Sequence, residues 1–191
     1  MKKEDLPGKI YLVSNSKRRY DILRKFFYVE KITPKTKEIE NGDFLKVVIE
    51  NSKNKVLSVN YKNLGVYVSG DTVVVLDNKI FGKPKNKDDA FLMLNELSGK
   101  WHIVCSGFYF KISEKEASGV DIAKVKFKDL KKDEIKNYIE TLEPMDKAGG
   151  YAIQGLGSYL IDRFEGCFYT IVGFPVVKFI KKLKEVIFEN S

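Results

Sequence analysis

The stretch Val66-Tyr-Val-Ser-Gly-Asp-Thr-Val-Val-Val-Leu76 decides the fold class of this sequence. Its β-branched and apolar residues predict a buried strand, which the polar segment Ser69–Thr72 interrupts. A carboxylate in the middle of a buried strand is costly when it has no partner. We therefore expect Asp71 to be paired, or to face a cleft as a ligand or a base. The structural alternative is a β-bulge or turn that carries Asp-Thr.

Helical and strand patterns flank this stretch without strict alternation. Apolar periodicity predicts five helices: one capped by Ser16 and running through Phe27, then 43–61, one capped by Asp88-Asp89 and running to Leu97, 133–141, and one after Pro175. Other strands are predicted at 8–13, after the turn Asp77-Asn78, and at 101–112, 119–127, 151–154, 158–162 and 167–172. This mixture predicts an α/β or α+β fold, with a central mixed, twisted sheet flanked by helices and two lobes sharing a cleft.

Composition limits the class of protein. The 191 residues are 43% hydrophobic and 31% charged, which excludes a mainly disordered chain and suits one domain over 1–191. A net charge of +8 favours polyanionic ligands without separating a triphosphate from nucleic acid. Cys105 and Cys167 lack metal-ligand spacing, and the polar start Met1–Asp5 does not resemble an export signal. We therefore expect a cytoplasmic protein that does not cross a membrane.

Two arginines follow the first predicted strand at the start of a helix. Ser14 and Ser16 supply hydroxyl groups there, and Arg18 and Arg19 lie in the first helical turn. Cations oppose the helix dipole at this end unless an anion lies between them. The segment indicates an anion site, and two solvated arginines are the alternative.

Two lysines are candidates for contact with an anion. Phe44, Val48, Asn51 and Lys55 form one inward stripe of a predicted helix, so Lys55 must meet an anion or extend to solvent. Lys83 lies between Gly and Pro, a setting that suits a positioned cation or an ordinary tight turn.

The remaining polar motifs are weaker signals. Asp146–Gly155 is rich in glycine, and its Gln154 has both a donor and an acceptor for reading a base edge. The segment is not a Walker loop. The single histidine, His102, is expected to be a strand-end residue, and the chain has no Ser/His/Asp arrangement.

Together these segments resemble the Maf family of nucleotide pyrophosphatases, relatives of the inosine-triphosphatase superfamily. The resemblance covers about residues 9–180, and eight motifs occur in the family's order. Three of them depart from the pattern: Asn51-Ser52 and Ser69-Gly70 replace more apolar pairs, and Lys17 replaces a proline. The matching segments are Val13–Arg19, Asn51–Lys55, Gly70–Val74, Gly82–Pro84, Met93-Leu94, Leu97–His102, Asp146–Tyr151 with Gln154-Gly155, and Val172–Pro175.

The resemblance implies hydrolysis of a nucleoside triphosphate, dTTP or UTP, to the monophosphate and pyrophosphate in a nucleotide-binding cleft. It implies that Asp71 is a general base or metal-linked carboxylate, and that Lys55 and Lys83 are catalytic. Ser14 and Arg19 would bind phosphates, while Arg18, Thr72 and Gln154 match the branch selective for dTTP and UTP. Mg²⁺ or Mn²⁺ is the implied cofactor, with Glu38 as the first candidate ligand beside Asp71 and Glu40 as the second. A homodimer is a further family-level expectation.

Two other functions remain open from the sequence. A pyrophosphatase for modified or purine nucleotides would use the same chemistry on a different base. A basic nucleic-acid-binding domain would use the positive charge and the aromatic residues. We do not expect nucleic acid as a partner, because the aromatic residues mostly follow core periodicity and the lysines concentrate on solvated helix faces.

Overall fold

The structure, a computed structural model, describes residues 9–61 and 64–188. Within these ranges seven strands form one mixed sheet in the order β2-β1-β3-β5-β6-β7, with β4 paired to β3 outside this path. The strands are β1 (Lys9–Val13), β2 (Tyr28–Ile32), β3 (Val66–Leu76), β4 (Lys79–Phe81), β5 (Trp101–Ile112), β6 (Lys115–Phe127) and β7 (Ile161–Glu165). The helices are α1 (Lys17–Leu23), α2 (Phe44–Leu57), α3 (Lys87–Leu97), α4 (Lys132–Glu140), α5 (Phe168–Val172) and α6 (Val176–Phe188).

The sheet contains both parallel and antiparallel pairs. β1 pairs in parallel with β2 and with β3, where Leu12 lies opposite Val68. β3 and β4 are antiparallel and joined by Asp77 and Asn78, whose φ values of 50° and 64° are left-handed. Such a two-residue turn matches the twist of a hairpin and favours Asp and Asn. β6 and β7 are also antiparallel, so the predicted mixed α/β class is confirmed.

The chain divides into two compact units. The first contains the described residues up to Asp71, then Ser106–Asp121 and the described residues from Gly173 onward; the second contains Thr72–Cys105 and Ile122–Val172. The strands β3, β5 and β6 each contribute residues to both units. The expectation of a nucleotide-binding cleft between two lobes stays a prediction.

Each unit has an apolar core of its own. In the first, α6 buries Val176, Phe179 and Leu183, and the Phe179 ring contacts those of Phe27, Phe108, Phe110 and Phe174. The apolar face of the last helix therefore serves as core. In the second, β3, α3, β6 and α4 contribute to one cluster that includes Val74, Leu94, Phe127 and Ile135.

Several predicted elements are wrong. The segment 167–172 contains helix α5, and 151–154 is not a strand, because a short apolar run does not distinguish a strand from a buried helical turn. Asn86 caps α3, accepting a hydrogen bond from the Asp89 N–H at 2.8 Å, while Asp88 and Asp89 lie in its first turn. The first helix ends at Leu23 and not at Phe27. The sequence pattern did not predict strand β2, most of whose residues are exposed.

No helix within residues 9–61 and 64–188 has the length and apolar character needed to span a membrane. The prediction about Met1–Asp5 concerns residues outside the described ranges.

Candidate active site

Asp71 lies in the middle of β3, which continues through the polar segment Ser69–Thr72 without a break. The side chain is almost fully buried, with 6% of the residue exposed. Each carboxylate oxygen accepts one hydrogen bond: Oδ1 from Lys55 Nζ at 2.9 Å and Oδ2 from Asn51 Nδ2 at 2.8 Å. The expectation that a carboxylate at this position has partners is confirmed, and no turn interrupts the strand here.

Helix α2 holds Lys55 against this carboxylate. The helix begins after Asp43, whose side chain accepts hydrogen bonds from the N–H groups of Leu45 and Lys46. Lys55 is 4% exposed, and its ammonium lies 2.6 Å from Glu38 Oε1, 2.9 Å from Asp71 Oδ1 and 3.4 Å from the Gly70 carbonyl oxygen. An ammonium has three donors, so these three oxygens account for all of them. The inward position predicted from the helical stripe is confirmed.

Glu38, Asn51, Lys55 and Asp71 form what we call the Asp71 cluster. Asn51 is the member to which sequence reasoning gave no role. The sequence did place Asn51 on the inward stripe, one turn before Lys55. That position alone does not indicate a role in the site, because a buried amide has many structural uses. Glu38, rather than Glu40, is the acidic residue that the structure brings to Lys55.

Ser14 and Arg19 lie just after β1. Ser14 is buried, and its hydroxyl oxygen accepts hydrogen bonds from the Ser16 N–H at 3.1 Å and from Arg19 Nη1 at 3.5 Å. Arg19 Nε donates to the Gly173 carbonyl at 3.0 Å. Ser16 caps α1 as predicted, accepting from the Arg19 N–H at 3.4 Å. The guanidinium is thus fixed by a hydroxyl and a backbone carbonyl.

The Ser14 turn and the Asp71 cluster belong to the same region of the first unit. The Ser69 hydroxyl donates to the Val13 carbonyl at 2.7 Å, which places the end of β1 beside the Asp71 segment of β3. Burial lowers the pKa of the Arg19 guanidinium, while the negative charges of Asp71 and Glu38 act in the opposite direction. Arg19 is therefore electrostatically coupled to both carboxylates of the cluster.

Glu38 and Asp71 supply oxygen ligands of the type that a hard divalent cation prefers, and the Lys55 ammonium lies between them. Glu38 Oε1 and Asp71 Oδ1 converge on one point, which is within 2.9 Å of both and which the Lys55 ammonium occupies. Carboxylate oxygens are the ligands that Mg²⁺ and Mn²⁺ prefer, commonly one or two from protein with phosphate oxygens completing the shell. Among the residues of 9–61 and 64–188 there is no group of three or more His, Cys, Asp or Glu that could hold a metal without such help.

Three predicted site residues belong to the second unit. Thr72 is half-buried in β3, Lys83 is exposed after β4, and Gln154 is exposed in a turn before the short 3₁₀ turn 156–160. The Gly149 N–H donates to the Gly82 carbonyl at 2.9 Å, so the Gly-Lys-Pro segment and the glycine-rich segment adjoin in this unit. Arg18 lies in the first unit, half-buried in the first turn of α1.

His102 is a buried residue of β5, as expected for a strand-end histidine. Its Nε2 lies 2.8 Å from the Tyr151 hydroxyl, and the Phe127 ring packs against it edge to face. Burial lowers the pKa of His102 from 6.5 to about 4. The imidazole is therefore neutral near neutral pH and belongs to the core of the second unit.

Comparison with known proteins identifies one family. The sequence model of the family described as Maf-like protein matches residues 9–186. The chain is 41% identical to a protein from Aquifex aeolicus named dTTP/UTP pyrophosphatase, over 93% of this chain and 95% of that protein. It is 40% identical to a protein of the same name from Pyrococcus furiosus, over 92% and 94%.

A solved structure is also similar. The Ham1 protein of Staphylococcus aureus matches with a TM-score of 0.46 and 12% sequence identity, covering 64% of this chain and 73% of that one.

Proposed function

This chain belongs to the Maf-like protein family, and we propose that it hydrolyses dTTP and UTP to the nucleoside monophosphate and pyrophosphate. Relatives about 40% identical over nearly the whole chain carry the name dTTP/UTP pyrophosphatase. We further propose that residues 1–191 act as one catalytic domain and that the activity removes nucleotides from the cellular pool.

The observation that carries the proposal is the convergence of Glu38, Lys55 and Asp71. Lys55 Nζ lies 2.6 Å from Glu38 and 2.9 Å from Asp71, and the three side chains come from a loop, α2 and β3. Lys55 and Asp71 are a buried pair of opposite charge and Glu38 is partly exposed, an arrangement that suits a site for a charged ligand. Arg19 and Ser14 add a cation and a hydroxyl to the same unit.

In the proposed mechanism Asp71 accepts a proton from the attacking water. Each carboxylate oxygen uses one lone pair on Lys55 or Asn51, and the other remains to orient water. The water oxygen bonds to the α phosphorus, the bond from that phosphorus to the bridging oxygen breaks, and pyrophosphate leaves. The ammonium of Lys55 stabilises the negative carboxylate, and its long contact with Gly70 is the donor most easily redirected to a phosphate oxygen.

Arg19 and Ser14 are proposed to bind phosphate oxygens. A guanidinium held by Gly173 and Ser14 keeps a fixed orientation, which favours stabilisation of charge that develops in the transition state. Lys83 is proposed to neutralise a further phosphate. Arg18, Thr72 and Gln154 are proposed to select the pyrimidine base, and this part rests on the family resemblance.

Glu38 and Asp71 are the residues proposed to hold Mg²⁺ or Mn²⁺. When bound, the cation would neutralise negative charge on the phosphates during bond cleavage. We expect activity to be lost with a chelator and restored by either metal.

The test is a panel of pyrimidine, purine and 7-methylguanosine triphosphates, incubated with Mg²⁺ or Mn²⁺ and separated by chromatography. We expect dTTP and UTP to be cleaved preferentially, each giving one pyrophosphate per monophosphate. In ¹⁸O-labelled water the label should enter the monophosphate, because attack is at the α phosphorus.

Other outcomes would change the assignment. Label in the pyrophosphate would place attack at the β phosphorus and contradict the mechanism. Preferential cleavage of a purine or modified nucleotide would keep the reaction and overturn the base selection. Cleavage of no triphosphate, together with salt-dependent binding of RNA or DNA, would favour a nucleic-acid-binding domain.

A further inference from the structure

Asn51 makes three hydrogen bonds from a position that is 2% exposed. Its Nδ2 donates to Asp71 Oδ2 at 2.8 Å and to the Ile39 carbonyl at 2.9 Å. Its Oδ1 accepts from the Ile39 N–H at 2.7 Å. One side chain thus pairs with both backbone groups of Ile39 and with the carboxylate assigned as the base.

The orientation of this amide is determined by its partners. Rotating it by half a turn would place the carbonyl oxygen against the negative Asp71 and the NH₂ group against the Ile39 N–H. Both contacts would then be repulsive. In the observed orientation both amide hydrogens are used, so the Asn51–Asp71 contact has a defined direction.

Asn51 and Lys55 form two parallel connections between the same pair of segments. Lys55 links Asp71 Oδ1 to Glu38, and Asn51 links Asp71 Oδ2 to Ile39, the next residue along the chain. The two side chains are four residues apart on α2 and therefore lie on one face. With a donor on each oxygen, the carboxylate plane of Asp71 cannot rotate without breaking one of the two contacts.

We propose that Asn51 is a positioning residue that fixes the Asp71 carboxylate and holds the segment carrying Glu38 beside it. The proposal rests on the proposed function and deepens it. In the motif that Asn51–Lys55 resembles, an apolar residue occupies this position, so the contact is a feature of this chain. An apolar side chain has no group to give to Asp71 or to Ile39.

The test compares Asn51→Leu and Asn51→Asp with the wild type. Asn51→Leu removes all three hydrogen bonds, and Asn51→Asp keeps the size while replacing the donor with an oxygen. We expect kcat for dTTP to fall by about 10- to 100-fold in both, since small errors in placing a reacting group have effects of this size. KM for the nucleotide should change by less than about threefold, because the hydrogen bonds of Asn51 go to Ile39 and Asp71, and neither is proposed to bind a phosphate.

Asn54→Leu is the matched control, because Asn54 is an exposed asparagine on the same helix. It should leave kcat and KM unchanged. If Asn51 had a merely structural role, the Asn51 variants would have a lower melting temperature. Their kcat, measured at a temperature where they are folded, would equal that of the wild type. Wild-type kcat in folded Asn51→Leu and Asn51→Asp would overturn the proposal.

Amide hydrogen exchange separates this proposal from the assignment of the reaction. The Ile39 N–H should be protected in the wild type and should exchange faster in Asn51→Leu, whichever nucleotide is cleaved. Rapid exchange at Ile39 in the wild type would contradict the proposal directly, even if the variants fail to fold. An inactive wild type with a protected Ile39 would instead count against the proposed function.

Discussion

At the scale of single residues, Lys55 is held by three oxygens inside the first unit. Moving an ammonium out of water is unfavourable unless acceptors replace its hydration. Lys55 also supplies the positive charge that is in direct contact with the buried Asp71 carboxylate. The pair is thus tied to folding as well as to the proposed chemistry.

We predict that Lys55→Met lowers the free energy of unfolding by about 3–5 kcal/mol, the usual cost of leaving one partner of a buried ion pair alone. Urea denaturation measures this change. Lys55→Met combined with Asp71→Asn should be destabilised less than Lys55→Met alone, because the unpaired charge is gone. Lys53→Met, which removes a more exposed pair with Glu116, should cost no more than about 1 kcal/mol. Equal losses from Lys55→Met and Lys53→Met would contradict this account of Lys55.

Part of the site could be predicted from the sequence. Asp71 was identifiable because a charge in a β-branched run demands a partner, and Lys55 because its helical stripe is otherwise mostly apolar. The carbonyl oxygens of Gly70 and Gly173 could not be predicted, since every residue has one and only the fold selects among them. Asn51 was visible on the stripe, but its partner Ile39 is a backbone contact without a sequence signature.

At the scale of elements, β3 depends on a close approach at Gly70. A Cβ atom there would lie 2.9 Å from the Phe174 ring and 3.0 Å from the Gly107 carbonyl oxygen. The strand therefore needs glycine immediately before Asp71.

The glycine-rich segment gives a second prediction at this scale. Gly149 has a φ of 66°, and a Cβ atom on it would lie 2.8 Å from Val74 Cγ2. We predict that Gly149→Ala lowers the free energy of unfolding by about 2–3 kcal/mol through backbone strain and overpacking. A Cβ atom at Gly82 would meet nothing within 4 Å, so Gly82→Ala is the control and should be close to neutral. A stable Gly149→Ala would refute this explanation of the segment.

Nearby residues in the sequence determine some helices and turns but not every strand. The 3.6-residue repeat of α6 and the turn at Asp77-Asn78 were predictable because each depends on nearby residues. Strand β2 could not be predicted because, among residues 9–61 and 64–188, it pairs with β1 alone at the edge of the sheet, and its burial does not alternate from residue to residue. Helix α5 was predicted as a strand because five residues are too few to establish a period.

At the scale of the whole molecule, the single histidine links folding to pH. His102 has a pKa of about 4 in the folded chain, below its ordinary value of 6.5. The unfolded chain therefore takes up a proton first as the pH falls. The contribution of the neutral His102 side chain to the free energy of unfolding is complete above about pH 6.5 and is lost progressively as the pH falls toward 4.

We predict that the wild type loses about 3 kcal/mol more of its unfolding free energy than His102→Gln between neutral pH and about pH 4. Comparing the two proteins cancels the contribution of the carboxylates, which titrate in both. Chemical denaturation across this range provides the measurement. Parallel pH profiles for the two proteins would show that His102 is not buried in its neutral form.

The rates of dTTP hydrolysis by Asp71→Asn and by Asp77→Asn decide whether Asp71 is the base. Both changes remove one carboxylate, and Asp77 lies in an exposed turn whose left-handed φ suits asparagine. We predict that Asp71→Asn lowers kcat at least ~10²-fold while remaining folded, and that Asp77→Asn keeps wild-type turnover. Near-normal hydrolysis by folded Asp71→Asn would contradict the assignment of Asp71 as the base and with it the proposed active site.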